Sequence, residues 1–285
     1  APFEATLQAT NPDATTLLAV AGLPTLPLAA VGPGQLNATF KGTLADGLQS
    51  AMSISGDKFV AAFDGTATPA ADGLAVRGKV KLEADDIEPW LMTVGAALPG
   101  MGLGTSVALA ADADYGKGLL VLNGIDGTVA ESAVSGDLNI ALEAGIPKLS
   151  GALSLDSLDL FPLAEMIFGD KAVAQTGEAA WPVAPFSEGL TAPFAGDLTI
   201  TAGTVLAGSL PPIHEANLGL QFDARRLRIA DLDAKFANGR VSGLVELKNE
   251  DGAGLLGGQL KLTAADIAML LPAFGVADPA IAGQA

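Results

Sequence analysis

The chain contains no cysteine and only one histidine, His214, among its 285 residues. Without cysteine it forms no disulfide, thiolate nucleophile or cysteine-ligated zinc site, and one histidine cannot build a multi-histidine metal centre. Aromatic residues make up only 5% of the sequence, which is little material for the aromatic-lined cleft of a polysaccharide-acting enzyme. We therefore predict that the protein is not an enzyme and uses no metal and no cofactor.

Charged residues are also scarce, at 16%, and the 32 acids against 15 bases give a formal net charge of −17. A nucleic-acid-binding protein needs basic surface to replace the counterions of phosphate, so the sequence predicts that nucleic acid is not a partner. The basic residues cluster towards the end of the chain, where Arg225, Arg226 and Arg228 lie close together. These three arginines either contact lipid head groups or only occupy the outer face of a sheet.

An unbroken apolar run long enough to span a bilayer is missing as well. Residues 14–40 and 89–111 carry no charge, but prolines and glycines break both segments. Such breaks interrupt the backbone hydrogen bonding that hydrocarbon demands. The chain also lacks an initiator methionine and a signal-like segment and begins in a strand-like pattern, so we expect a fragment of a longer protein.

What the sequence does have is apolar and polar residues alternating with period two, as in residues 79–83, 197–201 and 245–248. This period predicts strands with one apolar and one polar face. Asp-Gly and Asn-Gly pairs predict hairpin turns between the strands, and they begin at Asp46, Asp72, Asn123, Asp126, Asn238 and Asp251. The pattern predicts a long, twisted, antiparallel sheet.

Helical signals are short and share one layout: a strand, an Asp or Asn, one or two turns of apolar helix, then a glycine. The four residues expected to cap these helices are Asn11, Asp86, Asp159 and Asp266, since Asp and Asn side chains accept hydrogen bonds from the first backbone amides of a helix. The recurrence predicts one repeat array over residues 1–285, with approximate units 1–75, 76–149, 150–256 and 257–285.

The order of these patterns resembles the C-terminal region of AsmA-family proteins, and the resemblance covers most of the chain. One small departure is Ser187, because the family usually has Asp after the Phe of the Trp-Pro element. The segments that carry the resemblance are 148–160, 181–186, 197–203, 216–223, 227–243, 258–262 and 266–271.

The resemblance implies a repeating β-groove that carries phospholipid between the inner and outer membranes of a Gram-negative bacterium, in outer-membrane biogenesis and maintenance. It implies a periplasmic protein held in the inner membrane by an N-terminal anchor, which this sequence does not contain, with other envelope proteins as possible partners. The family has no catalytic residues to transfer to this chain.

Physical reasoning leads to the same fold class, which is mainly β, with a sheet curled into an open apolar groove and a few short capping helices. There are too few long helices to cover the apolar face of so many strands, so that face is left for acyl chains. The residues that the alternation places on this predicted groove lining are Val80, Leu82, Leu138, Ile140, Leu142, Leu153, Leu155, Leu198, Ile200, Leu218, Leu220, Phe222, Leu227, Ile229, Leu232, Phe236, Val245, Leu247, Leu260 and Leu262.

A second interpretation is a structural or adhesive β-solenoid of the cell envelope whose interior is filled by its own side chains. A solenoid needs short coils of nearly constant period, whereas the helix-capping positions here are more than 70 residues apart. Bound phospholipid in the purified protein would favour the groove, and its consistent absence would favour the solenoid.

Overall fold

A computed structural model of the chain describes residues 2–20, 32–43, 45–71, 73–93, 104–143, 146–169, 195–208 and 210–269. The described chain is mainly β, and it divides into two compact units, Ala1–Gly145 and Ile146–Ala285. This confirms the predicted fold class in its general form: long, mostly antiparallel sheet that is not closed, with few short helices.

The described residues of unit 1 form eight strands that follow one another in chain order, each antiparallel to the next. The strands are β1 (Phe3–Asn11), β2 (Gly34–Thr43), β3 (Gly47–Gly56), β4 (Phe59–Ala70), β5 (Gly73–Ala84), β6 (Val107–Gly116), β7 (Leu119–Val129) and β8 (Ser132–Glu143). Two short helices are inserted between strands, α1 (Ala14–Val20) after β1 and α2 (Glu88–Thr93) after β5.

In unit 2 the described residues form six strands, again adjacent in chain order. They are β9 (Ile146–Asp159), β10 (Ala195–Leu206), β11 (Ile213–Asp223), β12 (Arg226–Phe236), β13 (Gly239–Glu250) and β14 (Ala253–Thr263). Helix α3 (Leu160–Phe168) follows β9, and a 3-10 helix (Ile267–Met269) follows β14.

One strand pair departs from the predicted antiparallel arrangement, because β9 and β10 run parallel, from Lys148 opposite Ala195 to Asp159 opposite Leu206. A tight turn cannot join parallel strands, which need a crossover of a dozen or more residues. Residues 160–194, which include α3, supply that length.

The helix-capping residues lie close to where the sequence places them, with one correction. Asp13, rather than the expected Asn11, caps α1, since its carboxylate accepts hydrogen bonds from the Thr15 amide (3.0 Å) and hydroxyl (2.7 Å). Asn11 is the last residue of β1, and it accepts a hydrogen bond from the Asp13 amide at 2.9 Å. Pro12 separates the two, so the chain needs two more residues before it enters the helix.

The other three predicted caps accept backbone hydrogen bonds at the starts of their helices. Asp159 accepts from the Phe161 amide at 2.9 Å, and Asp266 accepts from the Ala268 amide at 3.0 Å. Asp86 accepts from the amides of Glu88 (3.0 Å) and Thr105 (3.2 Å). Asp86 therefore ties the start of α2 to the segment that leads into β6.

Two of the predicted hairpin turns are wrong, because Asn123-Gly124 and Asp126-Gly127 lie inside β7. Gly124, at φ +59°, occupies a β-bulge, where β7 has one more residue than its neighbours. The real turn after β7 uses Ala130 (φ +48°) and Glu131 (φ +65°). A two-residue hairpin needs positive φ at both positions, and here residues other than Asn and Gly supply it.

A glycine-to-alanine change at position 127 should destabilise unit 1 by about 2 kcal/mol or more. Gly127 has φ +148°, and a Cβ there would lie 1.9 Å from the Ala108 carbonyl oxygen of the neighbouring strand. Gly116→Ala is the matched control, since its Cβ meets no atom within 4 Å, and it should change stability by less than about 0.5 kcal/mol. Urea unfolding of both variants measures the difference, and equal stabilities would contradict the register of β6 and β7.

Candidate functional site

One face of the unit 1 sheet is apolar from β1 to β8. Residues directly opposite each other on neighbouring strands project to the same side of a sheet, so the register traces this face from strand to strand. One such row runs through Leu7, Ala38, Met52, Phe63, Val80 and Ala111. The bulge at Gly124 adds one residue to β7, which places the apolar side chains before and after it on the same face of the sheet. The face continues through Ile125, Leu122 and Leu138.

Helices α1 and α2 cover one end of this face, which we call the helix end. They contribute Leu17, Leu18 and Trp90, which are buried against the ends of the strands. Burial of each such side chain contributes about 1.5–3 kcal/mol. The strand residues at the helix end, all less than 9% exposed, are Leu36, Ile54, Phe59, Ala84 and Val107.

Two glycines let the helices approach the sheet closely. A Cβ on Gly34 would lie 2.4 Å from the Ala14 Cβ of α1, and a Cβ on Gly56 would lie 2.8 Å from the Trp90 ring of α2. The Trp90 ring also stacks on Phe59, with ring centroids 3.6 Å apart and planes 13° apart. The helix end is therefore a packed seal over the sheet.

The opposite end of the same face is exposed, and we call it the open end. It is formed by inward-facing apolar side chains at the other ends of the strands: Phe3 (51% exposed), Leu74 (50%), Tyr115 (42%) and Leu142 (64%). These four large apolar side chains are thus exposed to solvent on the same face of the unit 1 sheet.

The predicted lining residues divide into three groups by burial. Leu142 and Leu260 are exposed. Ten are half-buried and remain partly accessible: Val80, Leu82, Leu138, Ile140, Leu153, Leu155, Ile229, Val245, Leu247 and Leu262. Eight are buried, all of them in unit 2: Leu198, Ile200, Leu218, Leu220, Phe222, Leu227, Leu232 and Phe236.

The buried group forms the core of unit 2. Leu198 lies opposite Leu220, and Ile200 lies opposite Leu218, in the pairing of β10 with β11. Phe222 covers Gly196, where a Cβ would come within 2.3 Å of its ring. Helix α3 contacts β10 and β12. These side chains pack against protein in the structure, so the accessible part of the predicted lining lies mainly in unit 1 and at β9, β13 and β14.

Several apolar residues of the unit 1 face are absent from the sequence-based prediction, among them Leu36, Ile54, Phe59, Phe63 and Leu109. Their strands contain Ala, Ser and Gly at intervening positions on both faces, so their period-two signal is weak. Residue size would have been the useful signal, because the large apolar side chains of β2 and β3 occur only at alternate positions.

The other face of the unit 1 sheet is polar and carries two shallow hollows. One, of about 550 Å³, is lined by Ala51, Ala62 and Ala110 together with polar side chains, and Met52, Phe63 and Val80 at the intervening positions also contribute to its lining. The neighbouring hollow, of about 520 Å³, is lined by charged residues, including Asp64, Lys79 and Asp112. In the register Lys79 lies directly opposite both of these carboxylates, an arrangement that stabilises adjacent strands.

The arginine cluster of unit 2 lies on the face away from the core. Arg226 and Arg228 alternate with the inward-facing Leu227 and Ile229 along β12. Arg226 forms ion pairs with Asp223 (3.5 Å) and Glu246 (4.0 Å), and Arg225 forms one with Asp251 (3.7 Å).

The Arg240–Asp233 ion pair lies on the same outer face. The hydrogen bond from Arg240 lowers the pKa of the Asp233 carboxyl below its ordinary value. Because the folded-state pKa is depressed, the stabilising effect of the pair is present above the unfolded-state pKa and is lost as the pH falls through the folded-state value. Both side chains are largely exposed, so the effect is small.

No protein-family model, curated protein or solved structure matches this chain. Among the described residues, no group of three or more His, Asp or Glu side chains is arranged to hold a metal ion. Within the same part of the chain, no helix has both the length and the apolar character needed to cross a bilayer.

Replacing Arg225, Arg226 and Arg228 together by Ser should leave the folded state nearly intact. Exposed ion pairs contribute between zero and about 1 kcal/mol each to folding stability. The apolar side chains of β12 pack on the opposite face and do not depend on the arginines. Thermal unfolding followed by circular dichroism measures the effect, with Leu227→Ser as the comparison that should destabilise strongly. A triple variant as unstable as Leu227→Ser would mean that the arginines are structural.

Proposed function

We propose that this protein is a bridge-like lipid-transfer protein, in which phospholipid acyl chains move along the apolar face of the sheet. The observation that supports this proposal most directly is the apolar face of unit 1, continuous over eight strands and only partly covered by helices. Aliphatic side chains provide an apolar lining without requiring specific hydrogen bonds, as acyl chains need.

The cellular setting is part of the same proposal and derives from the resemblance to the AsmA family. The protein would act in the periplasm of a Gram-negative bacterium, held in the inner membrane by an N-terminal anchor. It would carry phospholipid towards the outer membrane, with envelope proteins as partners at either end. Curling of the sheet into a groove would shelter the acyl chains from water.

The buried core of unit 2 supports the alternative, non-catalytic structural role for that part of the chain. Its eight buried lining residues already pack against protein, as they would in a self-filled solenoid. Under the lipid-transfer proposal, unit 1 is therefore the part in which acyl chains should be found first.

Changing Ile140 to Asp should block lipid binding to unit 1 while the protein stays folded. Ile140 is half-buried on the apolar face, so a carboxylate there reaches water in the lipid-free protein but would face hydrocarbon in the complex. Such a charge costs several kcal/mol of lipid affinity. The matched control is Asn139→Asp, which places the same group on the opposite face of the same strand. Circular dichroism checks folding.

Photocrosslinking to phospholipid measures the outcome, with photoreactive residues at Val80 and Leu138 on the apolar face and at Lys79 and Asp137 on the polar face. The proposal requires labelling of the apolar face that Ile140→Asp abolishes and Asn139→Asp preserves. Equal labelling of the two faces, or labelling of the polar face with its hollows alone, would remove the basis for the apolar lipid path. Ile200→Asp and Phe222→Asp are unsuitable tests, since both side chains are buried and the changes should unfold unit 2.

A further inference from the structure

The helix end and the open end of the unit 1 apolar face differ in exposure, and this difference bears on how a phospholipid would be oriented there. At the helix end the strand residues are buried under α1 and α2, whereas at the open end Phe3, Leu74, Tyr115 and Leu142 are 42–64% exposed. A phospholipid has a polar head group that must stay in water. The apolar side chains at the helix end are covered by protein, whereas those at the open end are in contact with water.

The helix end and the open end also differ in charge, and this difference too favours the open end for a phosphate group. Among the described residues, the turns and helix starts at the helix end carry six acids and one cation, Lys58, which is paired with Asp85 at 3.3 Å. The six acids are Asp13, Asp57, Asp85, Asp86, Glu88 and Glu131. A phosphate group would be repelled there, because exposed charges act over about 8–10 Å at moderate ionic strength.

At the open end the described charges nearly balance. Four acids, Glu4, Asp46, Asp114 and Glu143, accompany three cations, Lys41, Arg77 and Lys117. Arg77 is paired with Asp114, and Lys41 lies opposite Glu4 on the polar face of the sheet. Lys117, in the turn between β6 and β7, is exposed and forms no ion pair with any described residue. One ammonium group, that of Lys117, is therefore available at the open end, two residues from the exposed Tyr115.

We infer that phospholipids bound to unit 1 lie along the strands, with their head groups at the open end and their acyl chains pointing towards α1 and α2. This inference rests on the proposed lipid-transfer function and adds an orientation to it. Lys117 would contact the phosphate, and the stacked Trp90 and Phe59 rings would keep water away from the chain ends.

The two ends of β8 offer a matched pair of reporter positions. Ser132 and Leu142 lie on the same face of this strand, at the helix end and the open end respectively. Ten residues of strand place them about 33 Å apart. Because the sequence has no cysteine, Ser132→Cys and Leu142→Cys each create a single labelling site for a fluorophore.

Each labelled protein is mixed with vesicles containing phosphatidylcholine that carries a nitroxide quencher, either on the choline or near the acyl terminus. We expect the choline nitroxide to quench the fluorophore at position 142 several-fold more than the one at 132. The acyl-terminal nitroxide should show the reverse preference. Lys117→Glu should weaken quenching by the choline probe, and Lys58→Glu, the same charge change at the helix end, should not.

The possible failures are distinguishable. Stronger quenching of position 132 by the choline probe, or equal quenching of both positions, would overturn the orientation while leaving lipid binding intact. Absence of quenching by either probe at both positions would overturn the lipid-transfer proposal and the orientation with it. Lys58→Glu and Lys117→Glu variants with the same effect would exclude a role for Lys117 at the phosphate.

Discussion

The rest of the structure depends on one constraint: every strand must present its apolar side chains to the same side as its neighbours. Strand side chains alternate strictly, so a shift of one residue moves a whole strand's apolar set to the wrong face. The chain keeps its apolar side chains on one face in two ways. Most hairpins pair residue for residue. Where the alternation in sequence would move the apolar side chains to the other face, a bulge brings them back, as at Gly124 in β7 and at Asp231 in β12.

The Asp231 bulge illustrates how local sequence and long-range pairing cooperate. Asp231 has φ +49°, a conformation that Asp tolerates better than most residues. Before the bulge Leu227 faces inward, and after it Leu232, Ala234 and Phe236 do. The two short alternating runs visible in the sequence are thus one strand, and both contribute to the same core.

Much of this architecture could be predicted from the sequence, because alternation is a local signal. It identified the strands of the second half of the chain, the four helix positions, and the outward placement of Arg226 and Arg228. It missed features that depend on contacts distant in the sequence. Nothing local distinguishes Asn123-Gly124 in a bulge from Asn123-Gly124 in a turn, since both need positive φ.

The candidate site was less predictable than the fold. Alternation shows which side chains share a face, but not what covers that face. Ile200 and Val80 have the same pattern in sequence, yet Ile200 is 2% exposed in a packed core and Val80 is half-buried on an accessible face. That difference is set by which helix or strand packs above each position, and it emerges only in the folded chain.

The single parallel pair, β9 with β10, has a consequence for how unit 2 could change in evolution. Strands β9 and β14 are five positions apart in the sheet. If every neighbouring pair were antiparallel, these two strands would run in opposite directions and end at opposite ends of the sheet. Because β9 and β10 are parallel, β9 and β14 instead run in the same direction. Helix α3 and the 3-10 helix, which follow these two strands, therefore begin at the same end of the sheet. Insertions or deletions between β9 and β14 that keep these two strands running in the same direction must therefore add or remove strands in even numbers, or bring a second crossover connection with them.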